Sequence, residues 1–131
     1  MFLDASVIIG IIAREPDAAS LAARLGRATN AYTSSIALYE AVLGLARIGN
    51  MPPAQALPIV EQFLGEVNAT IIAIDAALSR EAIAASGRFG RGRHPAGLNM
   101  GDCFAYACAR QLDVSLLCKG DDFPQTDAVL A

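Results

Sequence analysis

The 131-residue chain has few of the residues on which several common enzyme chemistries depend. It contains no tryptophan, one histidine (His94) and three cysteines, Cys103, Cys108 and Cys118. One histidine and poorly spaced cysteines argue against a zinc site. No G-x-S-x-G sequence accompanies His94, which argues against a serine hydrolase of that type. The cysteines are odd in number and lie in apolar segments, so we expect reduced thiols in the core.

Long apolar runs are also absent, although 54% of the residues are hydrophobic and the mean hydropathy is +0.42. No segment approaches the roughly 20 apolar residues that span a bilayer, and no basic residue precedes the apolar N-terminus as in a signal peptide. We therefore expect one domain over residues 1–131, with no membrane segment and a cytoplasmic location. The apolar excess points to a partner or to a self-interface, and we expect at least a dimer, most simply a homodimer.

Positive charge is scarce overall, with a net charge of −3, but it is concentrated in one place. Residues 87–97, GRFGRGRHPAG, carry Arg88, Arg91 and Arg93 among four glycines and a proline. The acidic total argues against nucleic-acid binding through overall charge. The local composition predicts a cationic loop suited to phosphate contacts, and a solvated surface loop is the alternative.

Strand-like and helix-like patterns alternate along the chain and predict a mainly parallel sheet with helices on both faces. Helix starts are predicted from Pro16 and Asp75, and Pro58 should kink or split its helix. We predict strands at 1–5, 31–33, 70–74, 115–118 and around Val129, and helices at 6–13, 17–28, 35–48, 53–67, 76–86 and 99–112.

Acidic residues follow or flank the predicted strand ends. Asp4 closes the first strand, and Asp121 and Asp122 follow the last long one. Glu40 lies four residues after Ile36 and three before Leu43, on what we predict to be the apolar face of its helix, which also carries Tyr39. Asp102 opens a helix whose next seven residues carry no charge. Since ligands bind outside the carboxyl ends of parallel strands, these acids are site candidates.

Each acid also has a purely structural explanation. Asp102 can cap its helix, Glu40 can pair with Arg47 or a distant arginine, and Asp121 with Asp122 can form an ordinary turn. Asp4 is hardest to explain in this way, because an ionised carboxylate inside MFLDASVIIGIIA loses hydration unless something compensates it.

Several carboxylates without an obligatory histidine, cysteine or serine nucleophile suit hard divalent cations. Mg²⁺ takes oxygen ligands, usually a few carboxylates together with waters and substrate phosphate. Two such ions can stabilise both the attacking and the leaving oxygen of an in-line displacement. The pattern therefore predicts phosphodiester chemistry.

Four segments in order carry a family resemblance over nearly the whole chain. They are LDAS at 3–6, SSIALYEA at 34–41, LNMGDCFAYACA at 98–109 and LLCKGDDFPQTD at 116–127. Together they resemble a PIN domain, and in particular a VapC-type toxin ribonuclease. The resemblance implies a three-layer α/β/α fold, a Mg²⁺- or Mn²⁺-dependent endoribonuclease, a homodimer, and inhibition by a small VapB-type antitoxin.

Carried over by position, the resemblance assigns metal-binding and catalytic roles to four acids: Asp4, Glu40, Asp102 and Asp121. Asp122 is the alternative for the variable fourth position, and Ser6 matches the hydroxyl beside the first acid. On this hypothesis Arg88, Arg91 and Arg93 position the RNA backbone. Metal-assisted hydrolysis of this type leaves a 5′-phosphate and a 3′-hydroxyl.

Two other functions stay open from the residues alone. One is a different metal-dependent phosphoryl-transfer enzyme, such as a small phosphatase, because acids at strand ends occur in several folds. The other is a non-catalytic regulator that binds metal or uses the acids structurally. Neither the RNA that is cleaved nor the number of metal ions follows from the sequence.

Overall fold

A computed structural model describes the whole chain, Met1–Ala131. The strands are β1 (Phe2–Leu3), β2 (Ala31–Ser34), β3 (Ala69–Ile72) and β4 (Leu116–Leu117). The helices are α1 (Ala5–Ile12), α2 (Ala18–Leu25), α3 (Ser35–Ile48), α4 (Pro53–Glu66), α5 (Ala76–Phe89) and α6 (Met100–Gln111), and a 3₁₀ turn spans Phe123–Gln125.

The four strands form one parallel sheet in the order β3-β2-β1-β4. Helices α1 to α4 pack on one face and α5 and α6 on the other, each face with its own apolar core. The predicted α/β class, with a central parallel sheet between helical layers, is confirmed. The chain moves from β1 outward to β2 and β3, and then returns to place β4 on the other side of β1.

Strands β1 and β4 are apolar at both positions because both of their faces are covered. Phe2 and Leu116 enter the core beneath α5 and α6, whereas Leu3 and Leu117 enter the core beneath α1 to α4. This is the alternation of side chains expected along a strand. All four side chains are fully buried.

Side-chain caps define where several helices begin, by satisfying N–H groups that have no partner inside the helix. Ser34 Oγ accepts from the Ala37 N–H at 3.1 Å, and Asp75 Oδ1 accepts from the Leu78 N–H at 2.9 Å. The Asp75 cap was predicted from the sequence and is confirmed. Asp17 begins α2 without such a bond, because its carboxylate accepts from Lys119 instead.

Some element boundaries differ from the sequence-based expectation. The first strand ends at Leu3 rather than at residue 5, since Asp4 caps α1. Helix α5 continues to Phe89, so the basic segment begins later than predicted. Helix α4 is not split at Pro58. Pro58 and Ala54, the residue four positions earlier, are both exposed, so water can satisfy the carbonyl that loses its helical hydrogen bond.

The three cysteines are free thiols, as predicted, with Cys103 and Cys108 buried. Burial raises the pKa of Cys108 to about 11 and, with repulsion from nearby Asp4, that of Cys118 to about 11. These thiols therefore stay protonated at neutral pH and are poor metal ligands. No helix of the structure combines the length and apolar character needed to cross a membrane.

We predict that Asp75→Ala lowers the free energy of unfolding by about 1 kcal/mol, because the Leu78 N–H loses its only cap. Asp75→Asn keeps an acceptor oxygen and should stay close to the unsubstituted protein. Urea unfolding of both variants measures the difference. Equal losses in the two variants would contradict the capping role.

Candidate active site

The candidate site lies beside β1, where the strand order reverses. Strands β2 and β3 follow on one side of β1, and β4 lies on the other side. Asp4 follows β1, Glu40 lies in the second turn of α3 after β2, and Asp122 follows β4. Asp102 lies in the first turn of α6. In open parallel sheets the crevice at such a reversal is the usual place for a ligand.

Asp4 is buried, with 8% of its surface exposed, and begins α1. Its Oδ2 accepts from the Ser6 N–H at 3.0 Å and from the Ser6 hydroxyl at 2.5 Å. The Ser6 hydroxyl in turn accepts from the Lys119 N–H at 3.2 Å. The two hydrogen bonds from Ser6 therefore replace part of the hydration that the Asp4 carboxylate loses on burial. The other oxygen of this carboxylate, Oδ1, receives no hydrogen bond.

Lys119 is a contributor that the sequence did not single out. Its ammonium group pairs with Glu15 and with Asp17, the latter at 2.8 Å, across the link between α1 and α2. The same residue anchors Ser6 through its backbone N–H. Lys119 therefore ties the segment that carries Asp121 and Asp122 to the beginning of the chain.

Asp102 forms the helix cap that the sequence allowed, and it also lies at the candidate site. In a reciprocal capping box, Asn99 Oδ1 accepts from the Asp102 N–H and Asp102 Oδ2 accepts from the Asn99 N–H, each at 2.9 Å. This fixes the carboxylate at the start of α6 and leaves Oδ1 without a donor. Asp102 also lines the same cavity as Asp4 and Glu40.

Glu40 differs from the other two acids because its carboxylate has no hydrogen-bond donor and no ion-pair partner. The alternative pairing with Arg47 does not occur. Burial, followed by repulsion from Asp4 and then from Asp102, raises the pKa of Glu40 to about 7. Ionised Glu40 is therefore the least compensated charge of the site.

Of the two acids that follow β4, Asp122 is the one whose charge acts on Asp102. Burial raises the pKa of Asp102 to about 6 against the hydrogen bond from Asn99, and the charges of Asp4 and Asp122 add to the rise. Arg91 acts in the opposite direction. Asp121 does not contribute to the raised pKa of Asp102 or of Glu40, and its backbone carbonyl accepts from Gln125.

Three of the acids, Asp4, Glu40 and Asp102, open into a cavity of about 350 Å³, here called the acid cavity, which neither Asp121 nor Asp122 lines. Tyr39, Leu43, Arg47 and Asn99 also line it. Tyr39 is 65% exposed and Leu43 39% exposed, so the expectation that they mark the core face of α3 is wrong. The buried face instead carries small residues such as Ala37 and Ala41, which let α3 pack closely against its neighbours.

The oxygen atoms of the acid cavity suit a hard divalent cation. Asp4 Oδ1, Asp102 Oδ1 and both carboxylate oxygens of Glu40 accept no hydrogen bond and are free to bind such an ion. No three carboxylate, imidazole or thiol groups converge closely enough to ligate one ion directly. Mg²⁺ needs no such convergence, because it is usually held by one or two carboxylates and keeps several waters. The residues present therefore fit Mg²⁺ with mixed direct and water-mediated ligands.

The three arginines of the basic segment have different surroundings. Arg88 lies in α5, where its guanidinium pairs with Asp127 at 2.8 Å and stacks over Phe89 at 4.6 Å from the ring centroid. Arg91 and Arg93 are exposed and form no ion pair. Of the three, Arg91 is the one whose charge reaches the acid cavity.

Comparison with known proteins agrees with this fold. The PIN domain model matches residues 1–129. A VapC ribonuclease from Rhizobium meliloti (strain 1021) is 36% identical, and the match covers 96% of this chain and 97% of that protein. Ribonuclease VapC from Mycolicibacterium smegmatis is 33% identical over 97% of this chain and 96% of its own.

Solved structures share the fold at much lower identity. Mycobacterium tuberculosis VapC20, a sarcin-ricin loop cleaving toxin, superposes with a TM-score of 0.78 at 15% identity, covering 99% of this chain and 97% of that one. A toxin-antitoxin complex from Klebsiella pneumoniae gives a TM-score of 0.73 at 17% identity, covering 99% and 95%. The fold and the full-length family match define a PIN-domain protein. The chain belongs to that family, and within it to the group of the VapC ribonucleases.

We predict that the metal-free protein becomes more stable as pH falls from 8 towards 5. The pKa of Glu40 in the folded state, about 7, lies above its ordinary value of 4.5, so the native state binds more protons across that interval. The penalty is complete above the folded pKa and is relieved as pH falls through it.

Glu40→Gln should therefore be more stable than the unsubstituted protein at pH 8, on the order of 1 kcal/mol after solvent screening. The difference should shrink towards pH 5. Glu61→Gln, at an exposed position of α4, is the matched control and should show no such trend. Urea unfolding with chelator at several pH values measures it, and a pH-independent difference would contradict the strain at Glu40.

Proposed function

We propose that this chain is a Mg²⁺- or Mn²⁺-dependent endoribonuclease and the toxin component of a type II toxin-antitoxin pair. The observation that carries the proposal is the shared acid cavity, where Asp4, Glu40 and Asp102 arrive from three separate elements with too few donors. The full-length relatives named as VapC ribonucleases supply the class of substrate. The sarcin-ricin loop activity of the structural neighbour belongs to that protein.

The acids of the cavity have distinct tasks in this function. Asp4 and Asp102 each present one free oxygen from a helix start, and Glu40 presents its whole carboxylate, so these three would hold the metal. A bound divalent cation supplies Lewis-acid activation of water and neutralises charge that develops on the phosphodiester. Asp122, whose negative charge helps to raise the pKa of Asp102, would be the fourth acid, with Asp121 as the alternative.

Other residues of the chain hold this arrangement and meet the substrate. Ser6 fixes the orientation of Asp4 and links it to the Lys119 segment. Arg91, which is exposed and whose charge acts on Asp102, would contact an RNA phosphate, with Arg93 further along the same exposed turn. Tyr39, exposed on the wall of the cavity, offers an aromatic face to a nucleobase.

A small VapB-type antitoxin is the proposed protein partner, consistent with the structural neighbour that is a toxin-antitoxin complex. Large apolar side chains stay exposed on the isolated chain, among them Ile83 at 71% and Met100 at 67%. Such exposure favours a homodimer.

The direct test is incubation of purified, antitoxin-free protein with a defined RNA pool and Mg²⁺, Mn²⁺ or chelator, followed by end mapping. We expect metal-dependent cleavage that leaves 5′-phosphate and 3′-hydroxyl ends. Asp102→Asn should lower the rate by a factor of about 10² or more while the protein stays folded, because its cap needs only an acceptor. Cleavage that persists in chelator, or hydrolysis of phosphate monoesters but not RNA, would contradict the proposal.

We predict that Arg91 and Arg88 differ in their contribution to RNA binding. Arg91→Ala should weaken RNA binding and flatten the dependence of log Kd on log salt, because one phosphate contact no longer releases counterions. Arg88→Ala should leave the salt slope unchanged and lower stability, since it removes the ion pair with Asp127. Binding of a non-cleaved RNA analogue at several salt concentrations measures both. Equal slopes in the two variants would contradict the role of Arg91.

A further inference from the structure

Gly101 occupies the second position of α6, between Met100 and the site acid Asp102. It is buried, and the Glu40 carboxylate from α3 lies directly against it. A β-carbon added to Gly101 would come within 2.5 Å of Glu40 Cδ, and nearer still to both carboxylate oxygens. Real β-carbons essentially never approach another atom closer than 3.0 Å.

The backbone at this position does not itself require glycine. Gly101 has ordinary helical geometry and is not among the residues with positive φ. Inside a helix, alanine is more favourable than glycine because it loses less conformational entropy on folding. What glycine provides at position 101 is therefore space, and the group that fills this space is the Glu40 carboxylate.

Other glycines of the chain provide the comparison. A β-carbon at Gly44 in α3 would meet Ile9, an apolar packing partner. A β-carbon at Gly65 in α4 or at Gly87 in α5 would meet nothing within 4 Å. All four of these glycines lie in helices. Only at Gly101 is the space that a β-carbon would fill occupied by an acid of the candidate site.

We propose that Gly101 is a positioning residue of the acid cavity. Its missing side chain lets Glu40 lie against the first turn of α6, beside the carboxylate of Asp102. Any larger residue at position 101 displaces the Glu40 carboxylate, because the end of that side chain can move and the capped helix start cannot. This inference rests on the proposed function, since it concerns how the same acids hold a divalent cation.

The test is Mg²⁺ binding by titration calorimetry to Gly101→Ala, with Gly65→Ala and Gly87→Ala as matched helical controls. We expect Gly101→Ala to lose Mg²⁺ affinity by about tenfold or more, the range seen when groups supporting metal ligands are removed. Both controls should bind Mg²⁺ as the unsubstituted protein does and should melt slightly higher. Circular dichroism and melting curves show whether each variant is folded.

A second measurement needs no metal and reports the contact itself. In a Glu40→Ala background the added β-carbon has no carboxylate to displace, so Gly101→Ala should raise the melting temperature like the two controls. In the unsubstituted background it should raise it less or lower it. This coupling between positions 40 and 101 is absent if Glu40 does not occupy the space.

The outcomes distinguish the inference from the proposed function. Unchanged Mg²⁺ affinity in folded Gly101→Ala, with Mg²⁺ bound normally by the unsubstituted protein, overturns the role of Gly101 and leaves the proposed function standing. Absence of Mg²⁺ binding by the unsubstituted protein overturns the proposed function and this inference with it. Additive effects of the two substitutions on melting temperature also overturn the inference.

Discussion

Repulsion among three incompletely compensated carboxylates is the constraint around which this molecule is organised. Asp4, Glu40 and Asp102 come from α1, α3 and α6, and each is held by a different device. Ser6 and a helix start fix Asp4, a capping box fixes Asp102, and close packing beside α6 confines Glu40. Burial and mutual repulsion raise the pKa of Glu40 to about 7, so a bound cation would relieve strain that the fold imposes.

The remainder of the fold supplies the stability that offsets this strain. Strands β1 and β4 are buried on both faces, Asp4 directly follows β1, and two separate apolar cores cover the sheet. The reversal of strand order at β1 opens a crevice at that edge. Repulsion among the acids lowers the stability of the folded protein at a place where a bound ligand can restore it. Such an arrangement is common at functional sites.

The sequence was sufficient to predict the parallel sheet, most of the helices and the proximity of Asp4, Glu40 and Asp102. Hydrophobic periodicity, helix caps and strand ends are local signals and can be read from short segments. Residues whose role depends on neighbours distant in sequence could not be assigned in this way. Asp122 rather than Asp121 acts electrostatically on Asp102, which depends on the turn after β4, and Arg88 differs from Arg91 because Asp127 pairs with it. Tyr39 was misplaced because an apolar residue facing a cavity has the same spacing as one facing the core.

Proton release on Mg²⁺ binding is the most direct measurement of the central claim that a cation relieves the strained acids. Calorimetry near pH 7 in buffers of different ionisation enthalpy should show release of roughly half a proton per site, since the pKa of Glu40 is about 7 and binding requires the ionised form. The release should vanish above about pH 9, and at pH 7 Glu40→Gln should leave only the small release from Asp102, whose pKa is about 6. Binding without proton release at any pH, or no binding at all, would contradict the account.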